Sequence, residues 1–456
     1  MNTTHILSEQ RRFFATGATL PVTTRRLALQ KLLEQIRRRE PQIVAALQAD
    51  LNKAELESYM CEIGIVREEL RYMLRMLPKW ARPYSRRAPL SQFPGRSYRY
   101  AEPYGQTLII APWNYPFQLT LMPLIGALAA GNTAIVKPSA YAPATSALLA
   151  ELLGELFKPE WVAVVEGGRA ANAELLAHRF DYIFFTGSPA VGKTVMEAAA
   201  KHLTPLTLEL GGKSPVIVDD SAKIELAARR IAFGKYLNAG QTCVAPDYLL
   251  VHNSRKQQLL EALRQATRDF FGEQPLNNPE LPRIINDKHF RRLLGLLQDG
   301  RIVFGGGYDE ARLLIEPTVI DDISYYSPLM QEEIFGPLLP VIGYDDLQQV
   351  IGDLRELPKP LALYLFTEQE SVKRQVLSGL RFGGGCVNDT IIHLADKRLS
   401  FGGVGDSGMG AYHGKSSFDS FSHYKSVVDK STRFDLPMRY HPYNEKNLRL
   451  IKRFLK

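Results

Sequence analysis

The sequence predicts an α/β fold, a parallel sheet followed by a second α/β region, and three observations carry that prediction. From Gln106 onward, short continuous apolar runs alternate with helix-length segments, the pattern of strands covered by helices on both faces. The same alternation restarts near Ser214 with a second set of apolar runs. Between Pro83 and Pro103 helical periodicity stops and Pro, Arg, Ser and Tyr dominate, which reads as an excursion from the first unit with a hairpin-like stretch at Ser97 to Ala101. A chain of 456 residues is long enough for two or three domains.

Residues 8 to 80 read as helices. Apolar positions recur at helical spacing through Arg26 to Arg38, from Pro41 onward, and through Glu62 to Leu77. The basic cluster Arg37-Arg38-Arg39 reads as a solvated face. In the first α/β unit the strands are Thr107 to Ile110, Thr133 to Val136, Trp161 to Val165, Asp181 to Phe185 and Leu206 to Leu210. The helices between them are Phe117 to Ala130, Ala142 to Phe157 and Ala171 to His178. In the second unit the strand-like runs are Pro215 to Val218, Tyr248 to Val251, Arg301 to Phe304, Leu338 to Ile342 and Leu361 to Phe366, with a helical run at Ile224 to Leu237. The Gly-rich run Phe401 to Gly410 reads as a loop, either a ligand cradle, a funnel wall or a plain connector. Asn444 to Lys456 reads as a basic amphipathic helix, suited to surface packing or to a membrane surface.

Composition narrows the function. Apolar content of 45% and charged content of 23% are ordinary for a soluble globular protein. The net charge of +8 is compatible with an anionic ligand, a membrane surface or nucleic acid. No basic stripe interleaved with aromatics dominates, which argues against nucleic acid. Three widely spaced cysteines, Cys61, Cys243 and Cys386, argue against a disulfide framework and fit a reducing compartment. No CxxC or HExxH motif offers a metal site. Met1 to Arg12 lacks an apolar signal core, and no uncharged apolar run is long enough to span a bilayer. A cytoplasmic protein is the expectation.

Chemistry-bearing residues fall at strand ends, where ligands bind in such sheets. Pro112-Trp113-Asn114-Tyr115-Pro116 presents an amide donor in a Pro-fixed turn. Lys137-Pro138-Ser139 ends a buried strand with a cation suited to a ribose hydroxyl or a phosphate. Thr186-Gly187-Ser188-Pro189-Ala190-Val191-Gly192-Lys193 is a strand-to-helix turn that lets a pyrophosphate approach a helix N-terminus; it is neither GxGxxG nor a P-loop, and a plain bend is its alternative. Glu209 precedes Leu210-Gly211-Gly212 and is either a general base or a salt-bridged edge residue. Cys243 sits in the polar turn Asn238 to Cys243 and is either a reactive thiol or a buried structural cysteine. Glu332-Glu333-Ile334-Phe335-Gly336-Pro337 sets a carboxylate beside an aromatic ring.

Taken together, Pro112 to Pro116, Lys137 to Ser139, Phe185 to Ser188, Leu208 to Lys213, Gly240 to Cys243 and Glu333 to Pro337 resemble the aldehyde dehydrogenase superfamily in order and spacing over nearly the whole chain. Ala411-Tyr412-His413-Gly414-Lys415 and the short N-terminus resemble its class 3 or fatty-aldehyde branch. The resemblance implies a Rossmann-type cofactor domain (residues 1–82 and 104–208), a second α/β catalytic domain (209–395), and a β oligomerisation arm with the C-terminal region (83–103 and 396–456). It implies a homodimer, NAD or NADP as cofactor, and an aldehyde as substrate. By resemblance Cys243 is the nucleophile, Glu209 the base, and Asn114 part of the oxyanion hole. Lys137 would contact the adenosine ribose, Gly187 to Gly192 the pyrophosphate, Glu333 the nicotinamide ribose, and Phe335 the nicotinamide itself. The chain departs from the family at Ala140, where the family often has Glu; a missing carboxylate there favours tolerance of NADP.

The expected reaction is oxidation of medium- or long-chain aliphatic or aromatic aldehydes to carboxylic acids. An acyl-CoA-forming enzyme is the nearest rival, against which Glu209 counts, and a cofactor-binding protein without turnover is the other. Trp113, Tyr115, Tyr59 and Tyr412 are candidates for an apolar funnel, or for ordinary core.

Overall fold

The computed structural model describes residues 3–89 and 92–455. Met1, Asn2, Leu90, Ser91 and Lys456, included in the ranges above, lie outside the described residues.

Valine-, isoleucine- and phenylalanine-rich runs form two open sheets. The first has six strands in the order Gly408–Met409, Leu206–Glu209, Tyr182–Thr186, Gln106–Ile110, Thr133–Lys137 and Val162–Val164. All are parallel except Gly408–Met409. The chain enters at Gln106–Ile110, builds outward to one side, then returns to build on the other. The crevice therefore opens between Gln106–Ile110 and Tyr182–Thr186, where the strand order reverses. Register pairs Ile110 with both Lys137 and Phe185, and Thr186 with Glu209. Lys137, Thr186 and Glu209 thus emerge at one edge of one sheet.

The second sheet has seven strands: Arg301–Phe304, Thr318–Asp321, Leu338–Tyr344, Tyr248–His252, Pro215–Val218, Ala362–Phe366 and Gly384–Val387. Only Arg301–Phe304 runs antiparallel. Thr318–Asp321 and Gly384–Val387 escape sequence reading because Thr and Asp bracket only two apolar residues in the first and two glycines open the second, so neither reads as an apolar run.

Helix Gln118–Ala130 is apolar on every side and buried at every position, as a helix with no polar face must be. It packs against Val22–Arg38, Gly64–Trp80 and Lys415–Ser420. Between the N-terminal helices, Glu55–Ser58 runs into a π-helical turn, Tyr59–Ile63, a form frequent at functional sites.

Two expectations are corrected. Arg39 is not on a solvated face: it is 8% exposed and pairs with Glu151 at 2.9 Å and with Glu155 on the neighbouring helix Pro143–Leu156. The Gly-rich run Phe401 to Gly410 is not wholly loop: Gly408–Met409 pairs antiparallel with the strand of Glu209.

The excursion is a three-stranded antiparallel sheet, Tyr84–Arg87, Gly95–Pro103 and Ser422–Lys430. The tail forms helix Glu445–Phe454, capped by Asn444 accepting from the Asn447 N–H at 2.8 Å. Leu448, Leu450 and Leu455 are exposed there. Among the described residues no helix is long and apolar enough to cross a membrane.

Candidate active site

A cavity of about 830 Å³ lies between the two sheets. Its wall includes Cys243, Glu209 and Asn114, together with Thr186, Gly187, Ser188, Pro189, Ala190, Glu333 and Phe335. Segments far apart in the chain are thus brought to one chamber. Lys137, Val191 and Gly192 stand outside its wall. Of the aromatic candidates, Trp113, Tyr115 and Tyr412 line it; Tyr59 is instead exposed and carries the Arg67 guanidinium over its ring.

Cys243 is half-buried at the end of a tightly wound turn. Asn238 and Ala239 both take left-handed backbone conformations, with φ of 52° and 53°. Gly240 has φ 73°, and a Cβ there would lie 2.2 Å from the Gly336 carbonyl, so the turn can approach the Glu333 loop only with glycine. Burial pushes the Cys243 thiol up to about 12, with the carboxylates of Glu333 and Glu209 adding; the backbone N–H groups of Cys243 and Val244 pull the other way. The thiol therefore needs a proton acceptor to react near neutrality.

Asn114 is 3% exposed in the turn after strand Gln106–Ile110. Its main-chain carbonyl accepts from Asn238 Nδ2 at 2.8 Å and from Lys53 Nζ at 2.9 Å. This joins the turn of Asn114 to the turn of Cys243.

Glu209 is 2% exposed, and neither carboxylate oxygen has a hydrogen-bond partner. Burial pushes its pKa well above the usual carboxylate range. It forms no salt bridge among the described residues, so it is not the paired edge residue that sequence left open. A buried, partnerless carboxyl beside a cavity can take a proton from water.

Glu333 is pushed up to about 8, chiefly by burial and by Asp247, against the Gly212 N–H, Lys213 and Arg292. Its carboxylate packs so closely on Gly211 that a Cβ there would lie 2.0 Å from Oε2. Phe335 takes φ 49°, costly for an aromatic residue, and packs edge-on against Trp113 with ring centroids 5.3 Å apart.

The start of one helix fits an anion such as a dinucleotide's pyrophosphate. Helix Pro189–Ala200 begins after Ser188, whose side chain makes no capping bond, leaving N–H groups open toward an anion. Lys137 is buried at its strand end, with Nζ donating to the Pro138 carbonyl at 2.6 Å. Burial lowers its pKa, while Glu166 acts to raise it.

Sequence reading missed several groups. Lys53, Glu57 and Glu62 were not singled out; Lys53 lies between helices Glu40–Leu51 and Glu55–Ser58, Glu57 on the second of these, and Glu62 in the π-helical turn. Lys235 is entirely buried, its Nζ has no hydrogen-bond partner, and burial lowers it to about 8. His413 lines the cavity with Nε2 unpartnered and is lowered to about 4 by burial.

Residues 2–427 match the model of the aldehyde dehydrogenase family. The 4,4'-diaponeurosporen-aldehyde dehydrogenase of Staphylococcus aureus is 48% identical over 98% of both chains. Aldehyde dehydrogenase family 3 member A2 of Mus musculus is 44% identical, over 98% of this chain and 92% of its own. Among solved structures, the substrate-bound state of Staphylococcus aureus AldH superposes with a TM-score of 0.98 at 47% identity, covering 100% of both chains. Mycobacterium tuberculosis aldehyde dehydrogenase complexed with NAD+ superposes with a TM-score of 0.84 at 27% identity, over 94% of this chain and 90% of that one.

Proposed function

The chain belongs to the aldehyde dehydrogenase family, and from that premise we propose that it oxidises medium- or long-chain aliphatic or aromatic aldehydes to carboxylic acids through a thiohemiacetal and a thioester on Cys243. One observation supports this above the others: Cys243, Glu209 and Asn114 line the same cavity as Thr186 to Ala190, Glu333 and Phe335. Leu119, Phe233, Leu237, Ile391, Leu394 and Phe401 supply much of the remaining wall, which suits an apolar aldehyde better than a charged one.

NAD or NADP is the cofactor. Lys137 would hold its adenosine ribose, Gly187 to Gly192 its pyrophosphate, Glu333 the nicotinamide ribose, and Phe335 would flank the ring. When bound, the nicotinamide accepts hydride from the substrate carbon.

The protein's own groups do the rest. The Cys243 sulfur, its proton released to solvent, attacks the aldehyde carbon, forming a carbon–sulfur bond as the carbonyl π bond opens. The carbonyl oxygen becomes an oxyanion, which the Asn114 amide and the Cys243 N–H stabilise; a preorganised donor of this kind is worth roughly 3–4 kcal/mol in the transition state. After oxidation the acyl group remains as a thioester on Cys243. Glu209 takes a proton from water, the hydroxide adds to the acyl carbon, and the carbon–sulfur bond breaks to release the acid and restore the thiol.

Ala140, exposed, offers no carboxylate to accept from a ribose hydroxyl or repel a 2′-phosphate, which favours use of NADP at least as well as NAD. The arm sheet leaves Tyr84, Val427 and Val428 exposed, which favours a homodimer, checked by sedimentation velocity. The basic tail helix favours peripheral contact of a cytoplasmic protein with anionic membranes; vesicle co-sedimentation should drop on truncation after Pro442.

The deciding experiment is an aldehyde panel run with NAD and with NADP on the wild type and on Cys243→Ala. Apolar aldehydes should give acid and reduced cofactor with the wild type only. Turnover by Cys243→Ala, or acyl-CoA formation in place of acid, would overturn the reading.

A further inference from the structure

The N-terminal region contributes no residue to the proposed chemistry, yet Lys53, between helices Glu40–Leu51 and Glu55–Ser58, reaches the main chain of Asn114. Lys53 and Glu62 are both 0% exposed and pair at 2.5 Å. An ammonium has three donors, and each has a taker. One meets Glu62 Oε1, one meets the Asn114 carbonyl at 2.9 Å, and the remaining face of the ammonium lies 4.0 Å from the centroid of the Tyr115 ring.

The carbonyl it meets is just as fully used. Its two lone pairs take Lys53 Nζ and Asn238 Nδ2. One donor comes from the N-terminal helical region and the other from the turn that ends in Cys243. Glu62 extends the hold: its Oε2 accepts the N–H groups of Phe117 at 2.9 Å and Gln118 at 3.1 Å, where helix Gln118–Ala130 begins and a negative charge is favoured. The π-helical turn Tyr59–Ile63 carries Glu62 and also sets Met60 and Cys61 into the cavity wall. On the other side Glu57 Oε1 accepts the Asn238 N–H at 2.9 Å.

A buried ion pair adds little net stability over apolar packing of the same volume. What this pair provides is direction. Two charge-bearing anchors fix the peptide plane after Asn114 and the start of the following helix. The direction of the Asn114 Cα–Cβ bond, from which its side-chain amide extends, is thereby set.

We propose that Lys53, held by Glu62, is the positioning residue for Asn114 and sets the aim of its amide at the reacting oxygen. The inference rests on the reading of Asn114 as an oxyanion donor. Lys53 is not among the residues that line the cavity; it acts through the Asn114 main chain.

The test compares Lys53→Met, Lys53→Met with Glu62→Gln, Asn114→Ala, and the triple variant. Lys53→Met alone strands the Glu62 charge, so the paired variant decides. The readouts are thermal midpoint, NAD+ affinity by fluorescence, KM for an aldehyde, and the first-turnover rate of reduced-cofactor formation. Asn114→Ala should lower the first-turnover rate by about 10²–10³-fold. The paired variant should stay folded, bind NAD+ as the wild type does, leave KM within about threefold, and lose roughly tenfold in first-turnover rate. In the Asn114→Ala background the same pair should cost less than about twofold more, since the residue it aims is gone. A folded paired variant with an unaltered first turnover overturns the proposal, as does a loss that multiplies with that of Asn114→Ala. If Asn114→Ala alone has no effect, the oxyanion reading itself falls and the clamp has nothing to aim.

Discussion

The hydroxyl of Tyr115 lies 2.6 Å from the hydroxyl of Thr242, so the residue after Asn114 is bonded to the residue before Cys243. Both are buried. Tyr115→Phe removes the bond and leaves Thr242 Oγ1 unsatisfied. We expect a loss of about 1–2 kcal/mol in chemical denaturation and a first turnover slowed several-fold. Tyr115→Phe with Thr242→Val should regain part of that stability, because neither partner then remains.

Glu209 has its pKa raised well above the usual carboxylate range by burial alone, so its base form grows as pH rises. Thioester hydrolysis should therefore quicken with rising pH. In Glu209→Gln that step should slow by roughly 10²–10⁴-fold and lose its pH dependence, while the first burst of reduced cofactor survives. An added thiol should accept the acyl group and partly restore turnover. Loss of the burst would give Glu209 another role.

Glu69 is 2% exposed, accepts the Gly414 N–H at 2.8 Å, and is pushed up to about 7, first by burial, with the Gly414 N–H and Lys397 opposing. Its folded pKa lies above its unfolded one, so the unfolded chain binds fewer protons between pH 4.5 and 7. Stability should therefore fall as pH rises through that window. Glu69→Gln should match the wild type at pH 5 and exceed it at pH 8, by at most about 3 kcal/mol. Denaturation curves at the two pH values check this; an equal gain at both would dismiss the titration.

Ala140→Glu supplies a carboxylate three residues beyond Lys137. It should weaken NADP+ binding about tenfold, equivalent to roughly 1.4 kcal/mol, and strengthen NAD+ binding slightly. Titration calorimetry with both dinucleotides reads the change directly. Unchanged discrimination would remove Ala140 from the account of cofactor choice.

Much of this was legible in the sequence, because parallel strands buried on both faces are written as short apolar runs and the residues that end them stand out. Lys137, Thr186 and Glu209 were each found that way. What stayed hidden depends on long-range pairing. The strand Gly408–Met409 is two residues long and exists only because Leu206–Glu209 offers it an edge. Lys53 and Glu62 were not singled out, since nothing local says that an ammonium will meet a carbonyl 61 positions away. Arg39 misled for the same reason, its carboxylate partners lying on another helix.

Gly408 and Met409 also set an order of assembly. On a ribosome the strand of Glu209 emerges long before the segment that closes its outer side. Until then that edge lies open to any passing β-segment. A nascent chain stalled short of Gly408 should be the form that chaperones hold longest.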